Sequence, residues 1–118
     1  MPHVILQGPL HVEDIWLSFR TTEFAENGNH FKAEEAYLSN DKKVLLVQSL
    51  VSERGYARTL MVRFTQQTDG VHIGIDKIGT PEKTDGVKRL LGLYTAIILT
   101  MEPRVSVAAT NIREFLGE

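Results

Sequence analysis

The chain of 118 residues contains no cysteine. That absence excludes disulfides, thiolate metal sites and cysteine nucleophiles, and it fits a reducing compartment. Basic charge is also scarce. The formal net charge is −2, and Lys and Arg never run beyond two in succession. Nucleic-acid binders normally carry a basic footprint, so no nucleic-acid partner is expected. The linear signatures of chemistry are missing too: no P-loop, GxGxxG, HExxH, GxSxG or EF-hand loop occurs. The four histidines, His3, His11, His30 and His72, never lie at i, i+2 or i, i+4 to one another. No metal and no cofactor is therefore expected. The N-terminal stretch MPHVILQGPL has neither a basic leader nor an apolar segment long enough for a signal peptide. A soluble, cytoplasmic chain without a membrane partner is the expectation.

What the chain does have is one long helical period over 84–102, TDGVKRLLGLYTAIILTME. Val87, Leu90, Leu91, Leu93, Tyr94, Ile97, Ile98 and Met101 fall within an arc about 160° wide, and Lys88, Arg89, Thr95, Thr100 and Glu102 mark an outside. Thr84 or Asp85 can cap the free N–H groups at the start, and Thr80-Pro81 offers an earlier start. Pro103 ends the helix. Its apolar part is far shorter than the roughly 20 residues that cross a bilayer, so this is a core helix. Gly92, Ala96 and Leu99 form a second, narrow face of mostly small residues, on which either another copy of the chain or the chain's own terminal segment can pack.

Upstream the pattern is strand-like. Val4 to Leu6 is a short strand closed by Gly8-Pro9. Leu10 to Arg20 fits two periods. Val12, Ile15, Trp16 and Phe19 match a helix, whereas Ile15, Leu17 and Phe19 alternate as in a strand. Asn27-Gly28 is the dipeptide preferred in tight hairpins, which favours a strand over Trp16 to Ala25 with a helical turn around Val12 to Ile15. Strands follow at His30 to Leu38, Lys43 to Ser52 and Tyr56 to Thr65, and a last one at Val71 to Ile75, separated by Ser39-Asn40-Asp41, Arg54-Gly55 and Asp69-Gly70. Val107 to Leu116 reads as a short terminal helix closed by Gly117.

Runs of strands before helices, joined by short turns, predict an α+β fold in a single domain over 1–118. The expected form is a curved antiparallel β-meander of five or six strands, with the long C-terminal helix packed on one face and a short terminal helix. A helix laid on a curved sheet can leave a cavity at one end.

Two sets of residues are candidates for chemistry. His72 shares a strand face with Asp76, which could orient it as a base, although a solvated outer face explains the pair more simply. Glu35 and Arg58 interrupt apolar alternations. If Phe31, Ala33 and Tyr37 point to the core, the period of two sends Glu35 inward with them, and Arg58 shares the face of Leu60, Val62 and Phe64. Charges in such places either pair with each other or line a wet cavity. The candidate ligand-binding set is Glu35, Tyr37, Tyr56 and Arg58; placement at the sheet rim is the structural explanation. The expected function is a non-catalytic binding or assembly module, homodimeric through the long helix or through the outer face of the Val44 strand. It would hold a small apolar or carboxylate-bearing ligand between helix and sheet. The alternative is a small acid–base enzyme using Glu35 or His72, with Arg58 holding an anionic substrate.

Overall fold

The computed structural model describes residues 1–77 and 83–117. In chain order these form β1 (His3–Gln7), α1 (Val12–Ser18), β2 (Thr22–Glu26), β3 (Asn29–Leu38), β4 (Val44–Glu53), β5 (Tyr56–Gln67), β6 (Gly70–Ile75), α2 (Asp85–Met101) and β7 (Ser106–Thr110), then a 3-10 turn at Arg113–Phe115. The strands make one curled antiparallel sheet in the order β2-β3-β4-β5-β6-β1-β7. The α+β class with an antiparallel sheet is as expected, but the sheet has seven strands rather than five or six.

The meander from β2 to β6 follows its turn chemistry. Asn27 and Gly28 both take positive φ, 52° and 79°, the backbone that matches strand twist in a two-residue hairpin. Arg54 and Gly55 do the same between β4 and β5, at 51° and 82°. Strand β4 is an interior strand, paired on both sides. Its inward residues Leu45, Val47, Ser49 and Val51 are buried, and its outward residues Val44, Leu46, Gln48 and Leu50 are half-buried. Both helices lie on the inner face, where Val12 and Ile15 of α1 join Val87, Leu90, Leu91 and Ile98 of α2 in one core with Phe31, Val62, Phe64 and Ile73 of the sheet.

The long helix spans Asp85–Met101 with Thr84 as its cap, the hydroxyl accepting from Val87 N at 3.2 Å. The alternative start at Thr80-Pro81 lies outside the described residues. A second acceptor comes from far along the chain. Glu53, at the end of β4, takes the Gly86 N–H on Oε2 at 2.8 Å and the Thr84 hydroxyl on Oε1 at 2.6 Å. A carboxylate at a helix N-terminus satisfies donors the helix cannot satisfy itself and suits its dipole.

Three expectations about elements are corrected. First, Trp16 to Ser18 is helical, not extended, and β2 begins only at Thr22. The i, i+3, i+7 set Val12, Ile15 and Phe19 prevails because it faces the core. The start of α1 is held from β5, where the Gln66 side chain accepts from Val12 N at 2.9 Å and donates to Leu10 O at 3.0 Å. Second, the terminal helix over Val107 to Leu116 is replaced by β7 and the 3-10 turn. Strand β1 pairs with β6 on one side only, and β7 supplies ladder partners to the other. Its backbone polar groups would otherwise be left over. Thr110 Oγ1 donating to His3 O at 2.7 Å, and His3 N donating to Asn111 Oδ1 at 2.9 Å, fasten the same edge. Third, β3 carries a bulge. Ala33 pairs with Ser49 and Glu35 with Gln48, leaving Glu34 as the extra residue. One inserted residue reverses the alternation, so Phe31 and Ala33 face the core before the bulge while Glu35 and Tyr37 face solvent after it.

Candidate functional site

The two helices do not close completely over the sheet. A cavity of about 380 Å³ lies between them, floored by Ala33, Val47 and Phe64, walled by Ile15, Phe24, Tyr94 and Ile98, and opening past Ser18, Phe19, Arg20, Thr22, Ile97 and Met101. That volume is within the range of small-molecule sites, which are mostly apolar with a few placed polar groups. At their C-terminal ends α1 and α2 meet, with Ser18 Oγ 3.1 Å from Met101 Sδ. Ile97 and Met101 belong to the apolar arc of α2 and yet remain 43% and 38% exposed. Nothing among the described residues packs fully against them.

At the inner end sits Tyr94, its ring 6.0 Å from that of Phe64. Its hydroxyl is 2.7 Å from Ser49 Oγ, and Ser49 in turn bonds Val47 O at 3.0 Å. A serine has one proton. With that proton on Val47 O, Tyr94 donates to Ser49 and presents only lone pairs. Burial pushes the Tyr94 phenol well above its ordinary range; the Ser49 hydrogen bond opposes this, and the charge of Glu34 adds to it. The group is a neutral hydroxyl, not a base, at any physiological pH.

The residues named from the sequence lie elsewhere and do not converge. Arg58 does face inward, and it pairs with Glu53, at 3.2 Å, with side chains 25% and 17% exposed. It belongs to the cluster that holds the start of α2. Glu35 stands opposite Gln48 on the outer face and is exposed, because of the bulge at Glu34. The expected inward placement of Glu35, and its pairing with Arg58, are therefore corrected: the two occupy opposite faces of the sheet. Tyr37 is also outward, its hydroxyl donating to Gln48 Oε1 at 3.3 Å, and Tyr56 stands at a hairpin end, 72% exposed. His72 is half-buried on β6, and Asp76, just past the end of that strand, is buried rather than solvated. The His72 ring stacks on His3, with centroids 5.7 Å apart, while Asp76 accepts from Arg63 at 3.1 Å. Burial, and then the charge of His3, hold the His72 imidazole below its ordinary value.

The small face of α2 is partly taken. A Cβ on Gly92 would overlap the carbonyl of Phe115, so the chain's own tail covers that position, while Ala96 remains exposed. Among the described residues no cluster of three or more His, Cys, Asp or Glu could hold a metal. No helix among them is long and apolar enough to cross a membrane.

Of the cavity residues, Tyr94, Ile97, Ile98 and Met101 were legible as the apolar arc of a helix and Ile15 as part of a helical turn, whereas Phe19 fell in the stretch for which the sequence favours a strand. Arg20 and Thr22 gave no signal, since they lie in the connection whose course depended on how α1 ended. No protein-family model matches the chain, no curated protein matches it, and no solved structure matches it.

Proposed function

We propose that this protein is a non-catalytic binding module that holds a small apolar ligand between its helices and its sheet. The observation that carries this reading is the open apolar cavity bordered by Ile97 and Met101, two sheet-facing side chains of α2 left exposed at its mouth. An apolar wall left in water is unfavourable, and a ligand that covers it gains roughly 25 cal/mol for each Å² removed from solvent. The acid–base reading has less support, because Glu35 and Arg58 occupy opposite faces of the sheet.

An assembly role rests on a separate observation. Both helices cover the inner face, so among the described residues no helix lies over the half-buried Val44, Leu46 and Leu50 on the outer face of β4. A two-fold dimer through that face is the form of the homodimer we propose, since Gly92 is covered from within the chain.

Mass spectrometry of freshly purified protein, under native and then denaturing conditions, tests both. The expected result is a dimer carrying an added mass that disappears on denaturation. A bare chain that also takes up no fluorescent apolar probe would remove the cavity reading, and a monomeric native mass would remove the dimer.

A further inference from the structure

Resting on the cavity reading above, we propose that the ligand is a single-chain amphiphilic carboxylate whose anionic end is held by Arg20. Among the described residues Arg20 is the one charged residue lining the cavity, and it stands at the mouth while the interior is apolar. The other polar groups of the wall are already committed. Thr22 Oγ1 donates to Arg20 O at 2.7 Å, and Ser18 Oγ has Asp14 O and Ile15 O within 3.1 Å. Arg20 is different. A guanidinium has five N–H donors, and one is used, Nη1 donating to Phe19 O at 2.7 Å. That bond turns the group back over Phe19, itself part of the cavity lining.

The contrast with other arginines sharpens the point. Arg58, Arg63, Arg89 and Arg104 each lie within 3.2 Å of a carboxylate oxygen, whereas Arg20, like Arg54 and Arg113, has no carboxylate partner among the described residues, and of these three it is Arg20 that lines the cavity. A planar fork of free donors suits a carboxylate bidentately. Its place between solvent and an apolar interior sets the ligand's polarity: charge outward, chain inward. A cationic amphiphile would meet Arg20 with like charge, and a neutral one would leave the guanidinium unpaired.

The test is calorimetric titration of the full chain with decanoate, 1-decanol and decyltrimethylammonium, each kept monomeric, for the wild type and Arg20→Gln. Arg20 is exposed, so the variant should fold with an unchanged melting temperature. We expect decanoate to bind more tightly than decanol. Arg20→Gln should weaken decanoate roughly fivefold, the scale of a solvent-exposed ion pair, while leaving decanol unchanged. Added salt should weaken decanoate alone. Equal binding of decanoate and decanol, an Arg20→Gln variant that binds decanoate normally, or preference for the cation would overturn the carboxylate inference and leave the apolar cavity reading intact. If no amphiphile binds at all, both fall.

Discussion

The carbonyl of Phe115 rests on the Cα of Gly92, in the middle of α2, so closely that any side chain there would occupy the same space. The contact joins the end of the chain to its longest helix. It is reinforced by Arg89, which donates to Phe115 O at 2.7 Å and to Glu26 of the β2–β3 hairpin at 2.6 Å. On helix propensity alone, Gly92→Ala should stabilise by up to about 1 kcal/mol. The overlap is with backbone rather than with a flexible side chain, so overpacking outweighs it, at roughly 1–3 kcal/mol. We expect a net loss of stability in urea titrations and faster amide exchange over 113–117. A variant more stable than the wild type would mean that the tail does not sit on Gly92.

How much of this was legible in the sequence divides by the distance over which each decision is made. The hairpins at Asn27-Gly28 and Arg54-Gly55 and the cap and stop of α2 are set by neighbours within a few positions, and they were read to within a residue or two. The bulge at Glu34 has no local signature, yet it reverses the facing of every later residue in β3, and the inward reading of Glu35 went with it. Strand β7 was hidden for a related reason. Val107, Ala108 and Ala109 are compatible with a helix, and only the open edge of β1, a hundred residues earlier, makes them a strand. The cavity combined both cases: its α2 wall followed from periodicity, whereas Arg20 and Thr22 depended on where α1 stopped.

The Glu53–Arg58 pair yields a test of structural against ligand-binding roles. Glu53 accepts from Arg58, Thr84 and Gly86 N at once. Glu53→Gln weakens every one of these and leaves the start of α2 short of an acceptor. With both side chains partly exposed, we expect a cost of about 1–3 kcal/mol, below that of a fully buried pair. Arg58→Gln should cost less, because Glu53 keeps Thr84 and Gly86. The order of the two melting temperatures is the readout; Arg58→Gln as the more damaging change would contradict the cap-centred account.

His72 gives the chain a pH dependence in a window of its own. Its folded value lies below the ordinary 6.5, through burial and then through the charge of His3. As pH falls, the unfolded chain therefore takes up this proton first, and stability drops with it. The contribution of His72 is complete above about 6.5 and erodes as pH falls from there toward the lower folded value. Glu26, held below its ordinary 4.5 by Arg89, begins to lose its contribution only in more acid solution. Denaturation midpoints at pH 7.5 and 5.5 should differ for the wild type and converge for His72→Gln. If the difference survives in the variant, another group is responsible.

The cavity itself makes a prediction whose sign depends on whether the space exists. Ala33 is 4% exposed and lies on the cavity floor. In a filled core, Ala33→Leu would add carbons with nowhere to go and cost about 1–3 kcal/mol. With open apolar space above it, the new side chain covers wall that water now reaches, and we expect stabilisation of about 0.5–2 kcal/mol. Val62→Leu is the control. Val62 is fully buried in the same sheet but does not line the cavity, so its enlargement should destabilise. Uptake of an apolar probe should fall in Ala33→Leu, because the ligand and the leucine compete for one volume. A destabilised Ala33→Leu variant that still takes up probe would place the binding surface elsewhere. A stabilised variant that has lost uptake would tie the open space and the binding to the same cavity.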